Sequence, residues 1–170
     1  MKFSTKASTS ASLTEAGATA AINKLIDILN LRLPDDLSRR YDLAAVIPPQ
    51  DRPVVFIGPY EHHSNELPWR ESIAELVVIP LTGQGQIDTG ALESQLLAYA
   101  DRSMKIGSFS AASNVTGVKS DVAGISALLK KHGALAFWDY AAAAPYVGIR
   151  MGSRDAAGQG DARFLRLLWR

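Results

Sequence analysis

The sequence contains no cysteine. Within these residues that excludes disulfides, thiolate-ligated zinc and a thiol nucleophile. It is in keeping with a cytoplasmic setting, where disulfides are rare. Histidine is scarce: there are three, two of them the adjacent His62 and His63. Neighbouring histidines on an extended segment point to opposite sides, so no metal site is expected. Charge of one sign is lacking too, with 18 Lys and Arg against 17 Asp and Glu, a net +1. Such a balance provides no global field for nucleic acid or an anionic membrane. No apolar run reaches the ~20 residues that cross a bilayer as a helix. No glycine-rich dinucleotide fingerprint or Walker-type phosphate loop occurs. The opening tract, MKFSTKASTSAS, has no apolar centre and does not read as a secretory signal. Residues 1–13 are expected to be disordered.

What remains is one domain's worth of chain, 170 residues and 47% hydrophobic. The informative stretch is ALAFWDYAAAAP, from Ala134 to Pro145. Five apolar residues in a row without polar relief read as a strand buried on both faces, as in parallel sheets. Asp139 then falls at its carboxyl end, the edge where open α/β sheets bind ligands.

The rest of the chain fits that frame. Ile22, Leu25, Ile26, Leu29 and Leu33 recur at helical spacing, with the helix starting at Gly17-Ala18-Thr19 and stopping at Pro34. Free N–H groups at such a start can hold a phosphate, although most are simply caps. Residues 35–47 read as one short helix, ended by Pro48-Pro49. Val54 to Ile57 is an apolar strand and runs straight into GPYEHHSN. A second strand, 76–79, leads to a Gly83/Gly85 turn, and Asp88 or Thr89 caps the next helix. A strand over 104–109 runs into SAASNVTG. Asp121 caps another helix, which His132-Gly133 closes. Alternation of this kind predicts an α/β fold, a parallel or mostly parallel sheet wrapped by helices. Parallel strands would line up three polar clusters on one edge: His62, His63 and Asn65; Ser113, Asn114 and Thr116; Asp139 and Tyr140. After Pro145 the character changes. Residues 150–170 hold five Arg and two Asp, and the closing FLRLLWR reads as an amphipathic helix or as a segment without a structural role.

Each cluster residue has an ordinary reading and a chemical one. Asn114 is a turn residue, or a neutral donor for a phenolate oxygen. Asp139 is a loop anchor, or an anion that keeps a pyridine nitrogen protonated. His62 is a surface imidazole, or one that stacks on a flat ring and exchanges protons. Phosphate cup, stacking imidazole, phenolate donor and pyridinium partner together describe a site for pyridoxal 5'-phosphate.

Four pieces, ATAAIN (18–23), EHHSN followed by PW (61–65, 68–69), SNVTG (113–117) and the strand ending in Asp139, occur in that order. In them the chain resembles the class V aminotransferase family, within it the cysteine desulfurase and selenocysteine lyase-like group, over about residues 14–149. The resemblance implies part of the large domain of a fold-type I transferase, pyridoxal phosphate as cofactor, an amino-acid substrate and a homodimer. It implies that Ala18 and Thr19 hold the cofactor phosphate, that His62 stacks on the ring and assists proton transfer, that Asn114 bonds the ring 3-oxygen, and that Asp139 bonds the pyridinium nitrogen.

Three departures accompany it. Ala142 stands where the family usually has a glutamine. No lysine follows Lys131, whereas the family's Schiff-base lysine is expected one βα step after Asp139. Family chains are also more than twice as long. GDARF (160–164) looks like the strand that leads to that lysine, and the divergence after Phe164 is what a frame change or premature stop would leave. On this reading the chain is a truncated cofactor-domain core, inactive alone and poorly soluble. The alternative is a non-catalytic binding or partner module derived from the same family. A third reading, another α/β enzyme acting on a phosphorylated ligand through Asp139 and His62, lacks a phosphate loop.

Overall fold

The computed structural model describes residues 17–148 and the backbone of Phe164–Leu167. The elements are α1 (Gly17–Ile28), α2 (Asp35–Tyr41), α3 (Leu43–Val46), β1 (Val54–Ile57), α4 (His63–Arg70), β2 (Glu75–Val78), α5 (Thr89–Ala98), β3 (Lys105–Ser110), α6 (Val122–Lys131), β4 (Leu135–Asp139) and β5 (Phe164–Leu167). The strands form one sheet in the order β2-β1-β3-β4-β5. Every pairing in it is parallel.

Strand periodicity sorts the side chains onto two faces. Val55, Ile57, Ile106 and Phe137 pack with Ile22 and Ile26 of α1 and Trp69 of α4. Val54, Phe56, Phe109, Ala136 and Trp138 pack with Leu92 and Leu96 of α5 and Ile125 and Leu129 of α6. Helices therefore cover both faces, the doubly wound α/β arrangement. Gly107 lies where α6 comes closest, and a Cβ there would meet Leu129 side-chain carbons at 2.5 and 2.9 Å.

This topology fixes where a crevice opens. The chain leaves β1 through α4, on one face, to reach β2. It leaves β3 through α6, on the other face, to reach β4. The connections after β1 and β3 thus diverge between two adjacent strands, which is a topological switch point. The helix α1 joins the same edge. Its far end is pinned at the strands' amino edge, where Ile73 N–H donates to Leu31 O at 2.9 Å just before β2. Twelve residues at 1.5 Å each span roughly 18 Å, about the height of the sheet, so Gly17 lies toward the carboxyl edge.

Several expectations need correction. The first helix stops at Ile28, not Pro34, because Asn30 turns left-handed (φ 56°) and sends Leu31 into the core. The single helix over 35–47 is two, broken at Asp42 (φ 48°). His63 opens a helix rather than continuing an extended loop, and Pro68 is tolerated within it. Phe164–Leu167 is a strand, not a helix: it pairs along the free edge of β4. The first 13 residues and most of the 150–170 tail lie outside the described residues.

Candidate functional site

Asp139 closes β4, opposite Ser110 of β3, and is 4% exposed. Its Oδ1 accepts from Ala141 N–H at 2.8 Å. Among the described residues Oδ2 has no hydrogen-bond partner. Burial pushes the carboxyl above its ordinary value, while the Ala141 bond and the nearby His62 pull it back. A buried carboxylate with one free oxygen is costly unless a donor reaches it. A ring N–H⁺ fits that vacancy chemically.

His62 is exposed and caps α4. Its Nδ1 accepts from Ser64 N–H at 3.2 Å and lies 2.8 Å from Ser64 Oγ. An Nδ1 that accepts leaves the neutral ring's proton on Nε2. The His62 and His63 rings are tilted 42° with centroids 6.0 Å apart, so they are neighbours and do not point to opposite sides. Among the described residues no group of three or more His, Asp or Glu could hold a metal ion. No described helix is long and apolar enough to cross a membrane.

Asn114 stands at the exposed corner of the loop after β3. Ser113 builds that loop from inside: its Oγ accepts from Val115 and Thr116 N–H, and Gly117, at φ 71°, donates back to Ser113 O. Asn114, Thr116, Ala142 and Tyr146 line a shallow cavity of about 420 Å³, which neither His62 nor Asp139 enters. Ala142 places a methyl in that wall. At α1 Ala18 is buried, whereas Thr19 is exposed. The structure thus brings His62 and Asp139 together, sets Asn114 in an adjoining cavity, and turns the α1 start toward the same edge.

The motif reading missed Glu61. This half-buried carboxylate accepts from Gly58 N–H, Ser110 N–H, Ser110 Oγ and Asn65 Nδ2. Asn65 and Trp69 both bond Ser108, at 2.6 and 3.1 Å. Half of EHHSN-x-x-PW therefore ties α4 to β3. The signal in the sequence was an acid just behind a Gly-Pro strand exit, with no Lys or Arg between Arg52 and Arg70 to pair with it.

The chain is a doubly wound α/β protein with a buried carboxylate, a capping imidazole and an amide at the sheet's carboxyl edge, the edge where open α/β sheets bind ligands. The chain belongs to the aminotransferase class-V family, whose profile matches residues 43–156. The first helix lies before that match. Relatives include a probable cysteine desulfurase of Halalkalibacterium halodurans, 32% identical over 99 residues, which are 56% of this chain and 23% of that protein. A second, of Mycobacterium leprae, is 33% identical over 93 residues, 55% and 22% of the two chains. Among solved structures, a NifS-like protein from Rickettsia africae superposes with a TM-score of 0.53 at 27% identity, over 65% of this chain and 29% of that one. The cysteine desulfurase of Thermococcus onnurineus shares the fold, with a TM-score of 0.56 at 21% identity, over 77% and 28%. The chain spans less than a quarter of the length of these curated relatives. Its sheet is part of the fold-type I architecture, and the family implies pyridoxal phosphate as cofactor.

Proposed function

We propose that residues 14–149 form the cofactor-holding core of a cysteine desulfurase-like enzyme acting on an amino acid. The observation that carries this is Asp139: a carboxylate buried at the sheet's carboxyl edge, with one oxygen unpaired among the described residues and His62 near it. When bound, pyridoxal phosphate supplies an electron sink for charge that develops at an amino acid's α-carbon. The chain's own residues prepare for it. Asp139 holds the proton on the ring nitrogen. His62 covers the ring and moves protons through Nε2, because Nδ1 is occupied by the α4 cap. Asn114 donates to the ring 3-oxygen, and the N–H groups of Ala18 and Thr19 hold the phosphate.

No lysine follows Lys131 in these 170 residues. These residues themselves supply noncovalent holds on the cofactor; a lysine one βα step beyond Asp139 is not among them. On this reading these residues alone do not turn over an amino acid.

Pyridoxine 5'-phosphate tests the reading, since it lacks the aldehyde that would react with surface lysines. Titration into the chain is expected to quench tryptophan fluorescence saturably, with inorganic phosphate competing. Asp139→Asn is expected to weaken binding about tenfold, the loss of one charge-assisted hydrogen bond. An affinity unchanged by Asp139→Asn sinks the proposal. With L-cysteine and pyridoxal phosphate, sulfide release is expected to stay at the level of free cofactor; release above it would show the chain to be active alone.

A further inference from the structure

Glu61 stands one residue before His62 and has no part in the roles above. Its Oε1 accepts from Gly58 N–H at 3.2 Å and Ser110 N–H at 3.0 Å. Its Oε2 accepts from Asn65 Nδ2 at 2.7 Å and Ser110 Oγ at 2.6 Å. Three of these donors are N–H groups, which can only donate, so the site calls for acceptor oxygens. Burial pushes this carboxyl above its ordinary value, and the donors offset only part of that. Gly58 follows β1, Ser110 ends β3, and Asn65 lies in the first turn of α4. One side chain therefore joins the two strands that flank the switch point to the helix that His62 caps. Ser110 is also the register partner of Asp139. Gly58 leaves the space required: a Cβ there would meet Oε1 at 2.8 Å.

We propose that Glu61 is a positioning residue that fixes the His62 imidazole relative to Asp139 by holding Gly58, Asn65 and Ser110 on one carboxylate. The proposal rests on the reading of His62 as the ring-facing imidazole. Glu61 itself touches no ligand. Its effect passes through the backbone of residues 58–65 to His62, with Ser110 as the fixed point on the neighbouring strand. Support of this kind, beneath the residues that meet the ligand, sets how precisely they are held.

The test uses the whole chain. In the wild type, nitrogen-15 imidazole spectra are expected to show His62 as a single Nε2–H tautomer, as its Nδ1 cap requires. Glu61→Gln keeps the shape but turns an NH2 group toward one of the two donor pairs, opening one side. The variant is expected to melt cooperatively, to show mixed tautomers at His62, and to bind pyridoxine 5'-phosphate about tenfold more weakly. In a His62→Ala background the same substitution is expected to change affinity by less than about twofold, because the route through His62 is gone. Ser110→Ala removes one donor and is expected to act in the same direction, more weakly.

A folded Glu61→Gln with unchanged His62 spectra overturns the proposal, and so do additive effects in the double-mutant cycle. If neither Glu61→Gln nor Ser110→Ala folds, the network serves folding rather than positioning, and the proposal is equally overturned. A wild-type chain that binds no pyridoxine 5'-phosphate, while Glu61→Gln still scrambles the His62 tautomer, refutes the cofactor reading and leaves the positioning role standing.

Discussion

At the scale of residues, stability and function oppose each other at Asp139. A buried carboxylate with one oxygen unpaired among the described residues costs the chain free energy, and Asn would keep the Ala141 bond through its carbonyl while removing the charge. Asp139→Asn is therefore expected to raise stability at neutral pH by about 1 kcal/mol while it weakens ligand binding. The sign with pH follows from the direction of the shift. The folded state raises this pKa, so it binds the proton more tightly than the unfolded chain, and its contribution falls as pH rises above the ordinary aspartate value near 3.8. The advantage of the Asn variant is expected to grow over that range and to be absent in stronger acid. Denaturant melts at several pH values measure it, and a variant less stable than the parent at pH 7 contradicts the account. Gly107 supplies a contrast without ligand chemistry. A methyl there collides with Leu129, so Gly107→Ala is expected to cost about 1–3 kcal/mol. Because the sheet register is unaffected, pyridoxine 5'-phosphate affinity is expected to change little once the protein is folded, which equilibrium titration at low temperature checks.

At the scale of elements, helix starts are where local chemistry and observed structure agree most closely. Asp88 caps α5 through Ala91 N–H at 2.9 Å, and Asp121 caps α6 through Gly124 N–H at 3.0 Å. Asp88→Ala and Asp121→Ala are each expected to cost about 1 kcal/mol. Their sum is expected in the double variant, because the caps share no partner; a clearly larger loss in thermal melts would show that the two helices are coupled. These caps could be read from the sequence because a cap needs only its own few residues. The strands β1, β3 and β4 were readable to within a residue for a related reason: apolar runs such as Val54 to Ile57 have no other way to be buried. The helix α4 was not readable. HSNELPWR is mostly polar and carries an internal proline, and what keeps it helical is tertiary: Asn65 and Trp69 bonded to Ser108, and the His62 cap. The last strand was hidden likewise, since FLRL suits a helix face or a strand, and only the free edge of β4 selects. The site divides along the same line. Asp139, His62 and Asn114 stand directly after strands and were legible as residues on one edge. Glu61 was not, because its role depends on donors 49 residues away in Ser110.

At the scale of the whole molecule, the two ends of the sheet are built differently. The carboxyl edge holds the carboxylates of Asp139 and Glu61, neither of which has an ion pair with Lys or Arg among the described residues. The amino edge is clasped. Arg102, with its side chain 9% exposed, donates to the carbonyls of Pro49 and Arg52 and to the Glu75 carboxylate, and its guanidinium lies 5.1 Å from the Tyr99 ring centroid. Tyr99 donates to the other oxygen of Glu75. That one cation joins the segment before β1, the start of β2 and the end of α5. Arg102→Met keeps the packed stem and removes every bond, and it is expected to cost about 2–3 kcal/mol at pH 7. The Tyr99 hydrogen bond first, and then Arg102, hold the Glu75 carboxyl below its ordinary value near 4.5. A depressed carboxyl stabilises the fold above its unfolded value, and that contribution is lost as pH falls through the lower folded value. The Glu75 side chain is 39% exposed, so solvent screens this part of the clasp. The bonds to Pro49 and Arg52 do not titrate. The stability gap between wild type and Arg102→Met is therefore expected to narrow below about pH 4.5 without closing, as read by denaturant melts at pH 7 and pH 4. A gap that stays constant would remove Glu75 from the clasp, and one that closes completely would remove the carbonyls.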